Sequence, residues 1–146
     1  LLGPHIAAVP ATAVPNFLAR LERGAAQRYR EWAPHYEGEE RAVVLECAAR
    51  EDEIADRVDA LFPVDPGDLQ KIEEVLPGAL AAYRGAFEGF SVPEQLHIQG
   101  EAELQGADAW RGIAAGQSDP AIIEGLAACS ALEEESSVAV RKLLEG

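Results

Sequence analysis

Two glutamates stand where amphipathic helices would be expected to place apolar side chains. Glu51, in the segment CAAREDEI, continues at helical spacing a stripe of core-type residues formed by Val44, Cys47, Ile54, Val58 and Leu61. Glu133, in the similar segment CSALEEES, continues the stripe formed by Leu126, Cys129, Ser136, Val140 and Leu143. Because an unpaired charge in a dry core is costly, a carboxylate at such a position is a candidate for specific chemistry.

The helical segments that precede these two stripes each carry a further glutamate on their apolar side. Glu22 lies in line with Ala26, Tyr29 and Ala33, and Glu103 lies in line with Ala107, Trp110 and Ala114. In both segments the aromatic residue is followed by an arginine, Arg30 or Arg111. The order of glutamate, aromatic-arginine pair, helix break and Cys-x-x-x-Glu therefore occurs twice. We interpret the chain as two copies of a helical hairpin.

Four helices that each direct one carboxylate toward a common core would form a layer of four glutamates. Helical bundles build metal sites in this way. Two other interpretations remain open. The glutamates would form a metal-free layer if they were protonated or hydrogen-bonded to nearby aromatic or arginine side chains. They would face solvent if the helices were rotated from the predicted phase. We expect solvent exposure in any case for the neighbouring acids, which are Asp52, Glu53, Glu134 and Glu135.

The repeated pattern resembles the ferritin-like superfamily, and within it the rubrerythrin branch, over most of the chain. In that family each hairpin supplies one glutamate from its first helix and a Glu-x-x-His motif from its second helix. Two such hairpins, joined by a long crossover, hold a pair of iron or manganese ions. The resemblance implies that Glu22 and Glu103 correspond to the first-helix ligands, and that Glu51 and Glu133 correspond to the glutamates of the motif.

The chain departs from this family at the two histidine positions, which hold Ile54 and Ser136. Neither residue supplies a nitrogen ligand, and a carboxylate-only cluster prefers hard ions such as Mg²⁺, Mn²⁺ or Ca²⁺. His97 is the only histidine near a ligand position, and we expect it to be a partly exposed helix residue. The resemblance also implies that Cys47 and Cys129 lie on opposite sides of the central layer and form no disulfide.

Helical patterning, with start and stop signals, runs through nearly the whole chain. It predicts helices over about residues 14–33, 39–61, 92–115 and 120–144. Three helix starts are marked by Asp65 with Pro66, by a capping box of Ser91 with Glu94, and by Asp119 with Pro120. We expect a break at Pro77–Gly78 in the crossover. The N-terminal LLGPHIAAVPATAVP is interpreted as an extended lead-in rather than a signal peptide.

The predicted fold is all-α, with one domain spanning residues 1–146. The resemblance implies a ferritin-like four-helix bundle made of two helical hairpins, at about residues 14–61 and 92–144. A partly helical crossover at about residues 62–91 joins the hairpins.

Composition limits the classes of partner. The chain has 146 residues, of which 48% are hydrophobic and 26% are charged, as is typical of a globular domain. Its net charge of −14 repels phosphate backbones and anionic lipids, so neither nucleic acids nor membranes are expected partners. Two cysteines without a CxxC motif indicate reduced thiols and a cytoplasmic location.

These observations favour a non-catalytic helical bundle protein whose di-metal site is lost or altered. It would act as a binding or assembly module, as a homodimer and without a cofactor. One alternative is a di-metal carboxylate oxidoreductase that uses iron or manganese and acts on iron, peroxide or oxygen. The four glutamates support that alternative, and Ile54 argues against it. A second alternative is a small-molecule carrier that uses the central cavity left by the metals.

Overall fold

The computed structural model describes all residues from 1 to 146, and the chain is entirely helical, with no β-strand. The all-α class predicted from the sequence is therefore confirmed. No helix combines the length and the apolar character that crossing a membrane requires. The helices are α1 (Gly3–Ala7), α2 (Val14–Trp32), α3 (Gly38–Leu61), α4 (Pro66–Gly85), α5 (Val92–Ala115) and α6 (Pro120–Glu145), with 3₁₀ turns at Ala11–Ala13 and Ala33–His35.

The helix starts agree with the signals in the sequence. Ser91 caps α5 in a capping box with Glu94, in which each side chain pairs with the backbone of the other residue. The side chain of Asp65 accepts a hydrogen bond from the backbone of α4, and Asp119 does the same for α6. Gly38 begins α3 with a positive φ of 56°, which a glycine adopts without steric cost.

The helices α2, α3, α5 and α6 form two antiparallel pairs that are packed together. α2 packs against α3, α5 packs against α6, and the two pairs meet through α3 and α6. α4 packs on α2, and the short α1 packs on α4. This arrangement brings α3 and α6, the second helices of the two predicted hairpins, into direct contact.

Two apolar clusters lie on either side of the glutamate positions. The first contains Tyr29, Trp32, Val44, Cys47, Phe87, Leu96 and Val140. The second contains Ile54, Val58, Trp110, Leu126 and Cys129. Along α3, Glu51 separates the first cluster from the second, and Glu133 separates them along α6. The carboxylates therefore form a polar layer inside an otherwise apolar core.

The predicted break at Pro77–Gly78 is wrong, because α4 continues through both residues. A proline inside a helix removes one backbone hydrogen bond and crowds the preceding turn. Here the helix is held on both sides of Pro77, since Ile72 and Ala79 are fully buried in one cluster with Phe17. Tertiary packing thus outweighs the local preference of the proline.

The prediction of an extended N-terminal lead-in is also wrong. This segment contains α1 and the 3₁₀ turn Ala11–Ala13. Pro4 lies in the first turn of α1, where a proline is tolerated. Leu2 and Ile6 pack against the buried cluster around Ile72, so the short helix is stabilised by apolar contacts rather than by its own length.

Candidate metal centre

Three of the four predicted glutamates come together from three different helices. Glu22 of α2, Glu51 of α3 and Glu133 of α6 each offer a carboxylate oxygen, and these oxygens lie within 4.8 Å of one another. Glu51 is 0% exposed and Glu133 is 2% exposed, whereas Glu22 is half-buried. The helical period that continued the apolar stripes thus correctly predicted the burial of Glu51 and Glu133, while Glu22 lies at the edge of the core.

Glu103, the fourth predicted glutamate, is buried on α5 and is held by two hydrogen-bond donors. Tyr29 donates its hydroxyl to Oε1 of Glu103 at 2.9 Å, and Gln99 donates its amide to the same oxygen at 2.7 Å. Tyr83 of α4 donates in turn to Oε1 of Gln99 at 2.6 Å. The second oxygen of Glu103, Oε2, is buried and accepts no hydrogen bond. One oxygen is therefore fixed while the other is free for a ligand.

The carboxylate layer lacks the partners that buried charges normally have. Both oxygens of Glu51 and Oε1 of Glu133 are buried without a hydrogen bond. None of the four glutamates forms an ion pair, since every salt bridge of the protein involves other acids (Asp52, Glu53 and Glu134 among them). Buried carboxylates in this state require protons or a cation to be stable.

The pKa values of the buried glutamates follow from this environment. Burial raises the pKa of Glu51 well above its ordinary range, and the charges of Glu103, Glu22 and Glu133 raise it further. Burial also raises the pKa of Glu133 well above its ordinary range, followed by the charges of Glu22 and Glu103. Burial raises the pKa of Glu103, the contact with the Glu51 carboxyl opposes that rise, and the charge of Glu22 adds to it. The hydrogen bonds from Gln99 and Tyr29 also lower the pKa of Glu103.

A cavity of about 340 Å³ opens onto this layer between α2 and α5. Glu22, Glu103 and Glu133 line its inner part, and Tyr83 and Gln99 contribute further polar groups. Most of the remaining lining is apolar and comes from α2, α5 and the N-terminal residues: Leu2, Ile6, Leu18, Leu21, Ala102 and Trp110. Glu51, which reaches the carboxylate layer from α3, does not line the cavity.

Gly106 of α5 makes room for Glu133. A Cβ atom at this position would lie 1.9 Å from Oε2 of Glu133, so any larger residue would displace the carboxylate. Three residues of the site were not predicted from the sequence: Gly106, Gln99 and Tyr83. The positions of Gly106 and Gln99, three and four residues from Glu103, were a usable signal because such neighbours share a helix face. Nothing in the sequence pointed to Tyr83, which belongs to the crossover helix.

The two histidine positions of the ferritin-like pattern are closed to metal. Ile54 is fully buried in the apolar cluster around Trp110. Ser136 is fully buried and accepts a hydrogen bond from Nε of Arg50 at 2.8 Å. His97 is exposed and does not belong to the carboxylate group. The donor set therefore consists of oxygen atoms alone.

The two cysteines serve as buried packing residues. Both are free and buried, and they belong to different apolar clusters. Burial raises the pKa of Cys129 to about 11, and burial also raises the pKa of Cys47. Neither thiol is therefore activated as a nucleophile at neutral pH.

The internal repeat extends to the ion pairs around the layer. Arg30 of α2 pairs with Asp52, which directly follows Glu51 on α3. Arg111 of α5 pairs with Glu134, which directly follows Glu133 on α6. In both halves of the chain, the arginine that follows Tyr29 or Trp110 thus pairs with the acid next to the buried glutamate.

Comparisons of the chain with family models, with curated proteins and with solved structures find no match. The chemistry of the site is therefore argued from its own residues. Buried carboxylates that come from different helices, have oxygens without hydrogen bonds and form no ion pair with a basic side chain suit a hard divalent cation.

Proposed function

We propose that this protein is a non-catalytic binding protein that holds hard divalent cations in an altered, carboxylate-only form of a di-metal site. One observation carries the proposal: the oxygens of Glu22, Glu51 and Glu133 lie within 4.8 Å of one another, and both oxygens of Glu51 are buried without a partner. A bound cation would supply the positive charge that this layer lacks. Glu103 would add its free oxygen Oε2 as a further ligand.

The donor chemistry favours Mn²⁺, Mg²⁺ or Ca²⁺ over iron. These ions prefer carboxylate oxygens, whereas imidazole nitrogen suits iron and other later transition metals. Ile54 and Ser136 provide no nitrogen at the positions where the ferritin-like pattern has histidine. The same absence of nitrogen ligands argues against the di-metal oxidoreductase alternative with iron, and it favours a binding role for the site.

The arrangement of the helices supports a ferritin-like four-helix bundle as the fold behind this site. The contacts of α2 with α3 and of α5 with α6 supply two hairpins, and the long α4 lies between them in sequence. The hydrogen bond from Tyr29 to Glu103 joins α2 to α5. The equivalent ion pairs of Arg30 and Arg111 agree with two related halves. The homodimer and the cytoplasmic location remain predictions, which sedimentation and cell fractionation would check.

Metal binding can be tested directly with one glutamate variant and one matched control. The protein is stripped with a chelator, titrated with Mn²⁺ in a calorimeter, and then assayed for bound manganese after gel filtration. Wild type should retain Mn²⁺, and Glu51→Gln should bind at least about tenfold more weakly, because a neutral amide replaces a buried anionic ligand. Glu135→Gln makes the same chemical change at an exposed position of α6 and should bind as wild type does.

Two results would contradict the proposal. The first is an absence of Mn²⁺, Mg²⁺ and Ca²⁺ binding by folded wild-type protein, which would mean that the layer is stabilised by protons alone. The second is equal weakening by Glu51→Gln and Glu135→Gln, which would mean that Mn²⁺ binds to the acidic surface. Oxidation of Fe²⁺ by oxygen or peroxide that depends on wild-type protein and is lost in Glu51→Gln would restore the oxidoreductase alternative.

A further inference from the structure

The cavity between α2 and α5 combines carboxylates with an apolar lining, and metal binding would use only the carboxylates. Its outer part is lined by hydrocarbon, with Leu18 and Leu21 on one wall and Ala102 on the other. Its inner part ends at three carboxylates. No lysine, arginine or histidine side chain lines the cavity. The volume of about 340 Å³ falls at the small end of known ligand pockets, which span roughly 300–1,000 Å³.

Two buried oxygens at the inner end have no partner within the protein. These are Oε2 of Glu103 and Oε1 of Glu133, which belong to side chains that are 1% and 2% exposed. A ligand group that donates hydrogen bonds would satisfy these oxygens, and a positive charge on the donor would strengthen the bonds. An anionic head group would meet three carboxylates and no lysine, arginine or histidine side chain.

We propose that this cavity binds a small primary amine, with its hydrocarbon chain among Leu18, Leu21 and Ala102 and its ammonium group facing Glu103 and Glu133. An ammonium group has three donors and no acceptor, which suits the three carboxyl groups that line the cavity. Burial of the hydrocarbon chain supplies the apolar part of the binding free energy. Glu22 lines the same end and adds a third carboxylate. The proposal does not require a metal to bind.

A series of equal-length ligands tests the head group. Metal-free protein is titrated at neutral pH with hexylamine, 1-hexanol and hexanoate by isothermal calorimetry. Hexylamine should bind about tenfold or more tightly than 1-hexanol, since charge-assisted hydrogen bonds are roughly twice as strong as neutral ones. Hexanoate should show no binding. Binding of hexanoate as tight as that of hexylamine, or no binding of hexylamine to folded protein, would overturn the proposal.

Two variants separate this site from the metal site. Ala102→Leu adds bulk to a half-buried cavity wall and should abolish hexylamine binding while Mn²⁺ binding persists. Ala81→Leu, at an exposed position of α4 outside the cavity, is its matched control and should bind both. Glu51→Gln should lose Mn²⁺ but retain hexylamine, because Glu51 does not line the cavity. Hexylamine binding that survives Ala102→Leu would place the amine elsewhere and overturn the proposal.

The two ligands should also compete, because Glu22 and Glu133 belong to both sites. Saturating Mn²⁺ should weaken hexylamine binding by at least about tenfold. If wild type binds hexylamine but no divalent cation, the proposed function fails and this inference stands. If wild type binds Mn²⁺ but not hexylamine, the inference fails and the proposed function stands.

Discussion

Gly106 of α5 leaves the space that the carboxylate of Glu133 occupies, since a Cβ atom at residue 106 would lie 1.9 Å from Oε2 of Glu133. The absence of a side chain on one helix thus lets a side chain of α6 reach the carboxylate layer. Glycine in a helix interior costs roughly 1 kcal/mol relative to alanine. The geometry of the site therefore depends on a residue that is unfavourable for the helix that carries it.

Gly106→Ala should weaken metal binding with little effect on the stability of the protein. The atom in the way is the end of a flexible side chain, so Glu133 can rotate aside, and the free energy of unfolding should change by less than about 1 kcal/mol. Mn²⁺ affinity should fall at least about tenfold, because one oxygen leaves the cluster. Urea unfolding and calorimetric titration measure the two effects.

The matched control is Gly112→Ala, on the same helix, where a Cβ atom would meet nothing within 4 Å. It should gain up to about 1 kcal/mol in stability from helix propensity alone and keep wild-type Mn²⁺ affinity. Unchanged Mn²⁺ affinity in Gly106→Ala would show that Glu133 takes no part in the metal site.

The metal-free protein should become less stable as the pH rises. Burial first, and then neighbouring carboxylates, raise the pKa of Glu51 and Glu133 well above the ordinary value of 4.5. Between that value and the raised ones, the folded chain holds protons that the unfolded chain has released, so the free energy of unfolding decreases with pH. The slope is at most about 1.4 kcal/mol per pH unit for each carboxyl.

The double variant Glu51→Gln with Glu133→Gln isolates this effect, because its amides stay neutral at every pH. Its free energy of unfolding, measured with urea from about pH 5 to about pH 8, should fall less than that of wild type. The overall charge of −14 also weakens the fold at high pH, but it acts on both proteins. Parallel curves for the two proteins would mean that the buried glutamates titrate normally.

Helical periodicity was sufficient to place Glu51, Glu103 and Glu133 in the core and Glu22 at its edge, because residues on one stripe of a helix share one environment. Periodicity could not reveal Tyr83, whose hydroxyl bonds Gln99, because that contact depends on how the crossover helix docks. Periodicity also did not predict that Arg50 donates a hydrogen bond to Ser136. Contacts between distant segments follow from packing, and a single sequence does not encode them locally.

The wrong break at Pro77–Gly78 has the same origin, and it yields a stability prediction. Pro77 is exposed on α4, so Pro77→Ala loses no core packing and restores an N–H that can donate to the carbonyl of Glu73. Interior prolines cost a helix about 3 kcal/mol, and the greater freedom of the unfolded chain offsets up to about 1 kcal/mol of the gain. The free energy of unfolding of the variant should therefore be about 2–3 kcal/mol higher than that of wild type.

Pro66→Ala is the control for this change, because Pro66 begins the same helix, where a proline loses no intrahelical hydrogen bond. Urea unfolding should show a change of less than about 1 kcal/mol for this variant. A destabilised Pro77→Ala would indicate that α4 is broken at residue 77 in solution, as the sequence alone suggested.

The hydrogen bond from Tyr29 to Glu103 should stabilise the protein most where Glu103 is ionised. Tyr29→Phe removes a donor to a buried carboxylate and should lower the free energy of unfolding by about 1–3 kcal/mol. Because the hydroxyl favours the charged form of Glu103, the loss should be larger at about pH 8 than at about pH 5. Tyr36→Phe is the matched control, since Tyr36 is only partly buried, and it should cost less at both pH values. A loss in Tyr29→Phe that is the same at both pH values would mean that the protonation state of Glu103 does not change over this range.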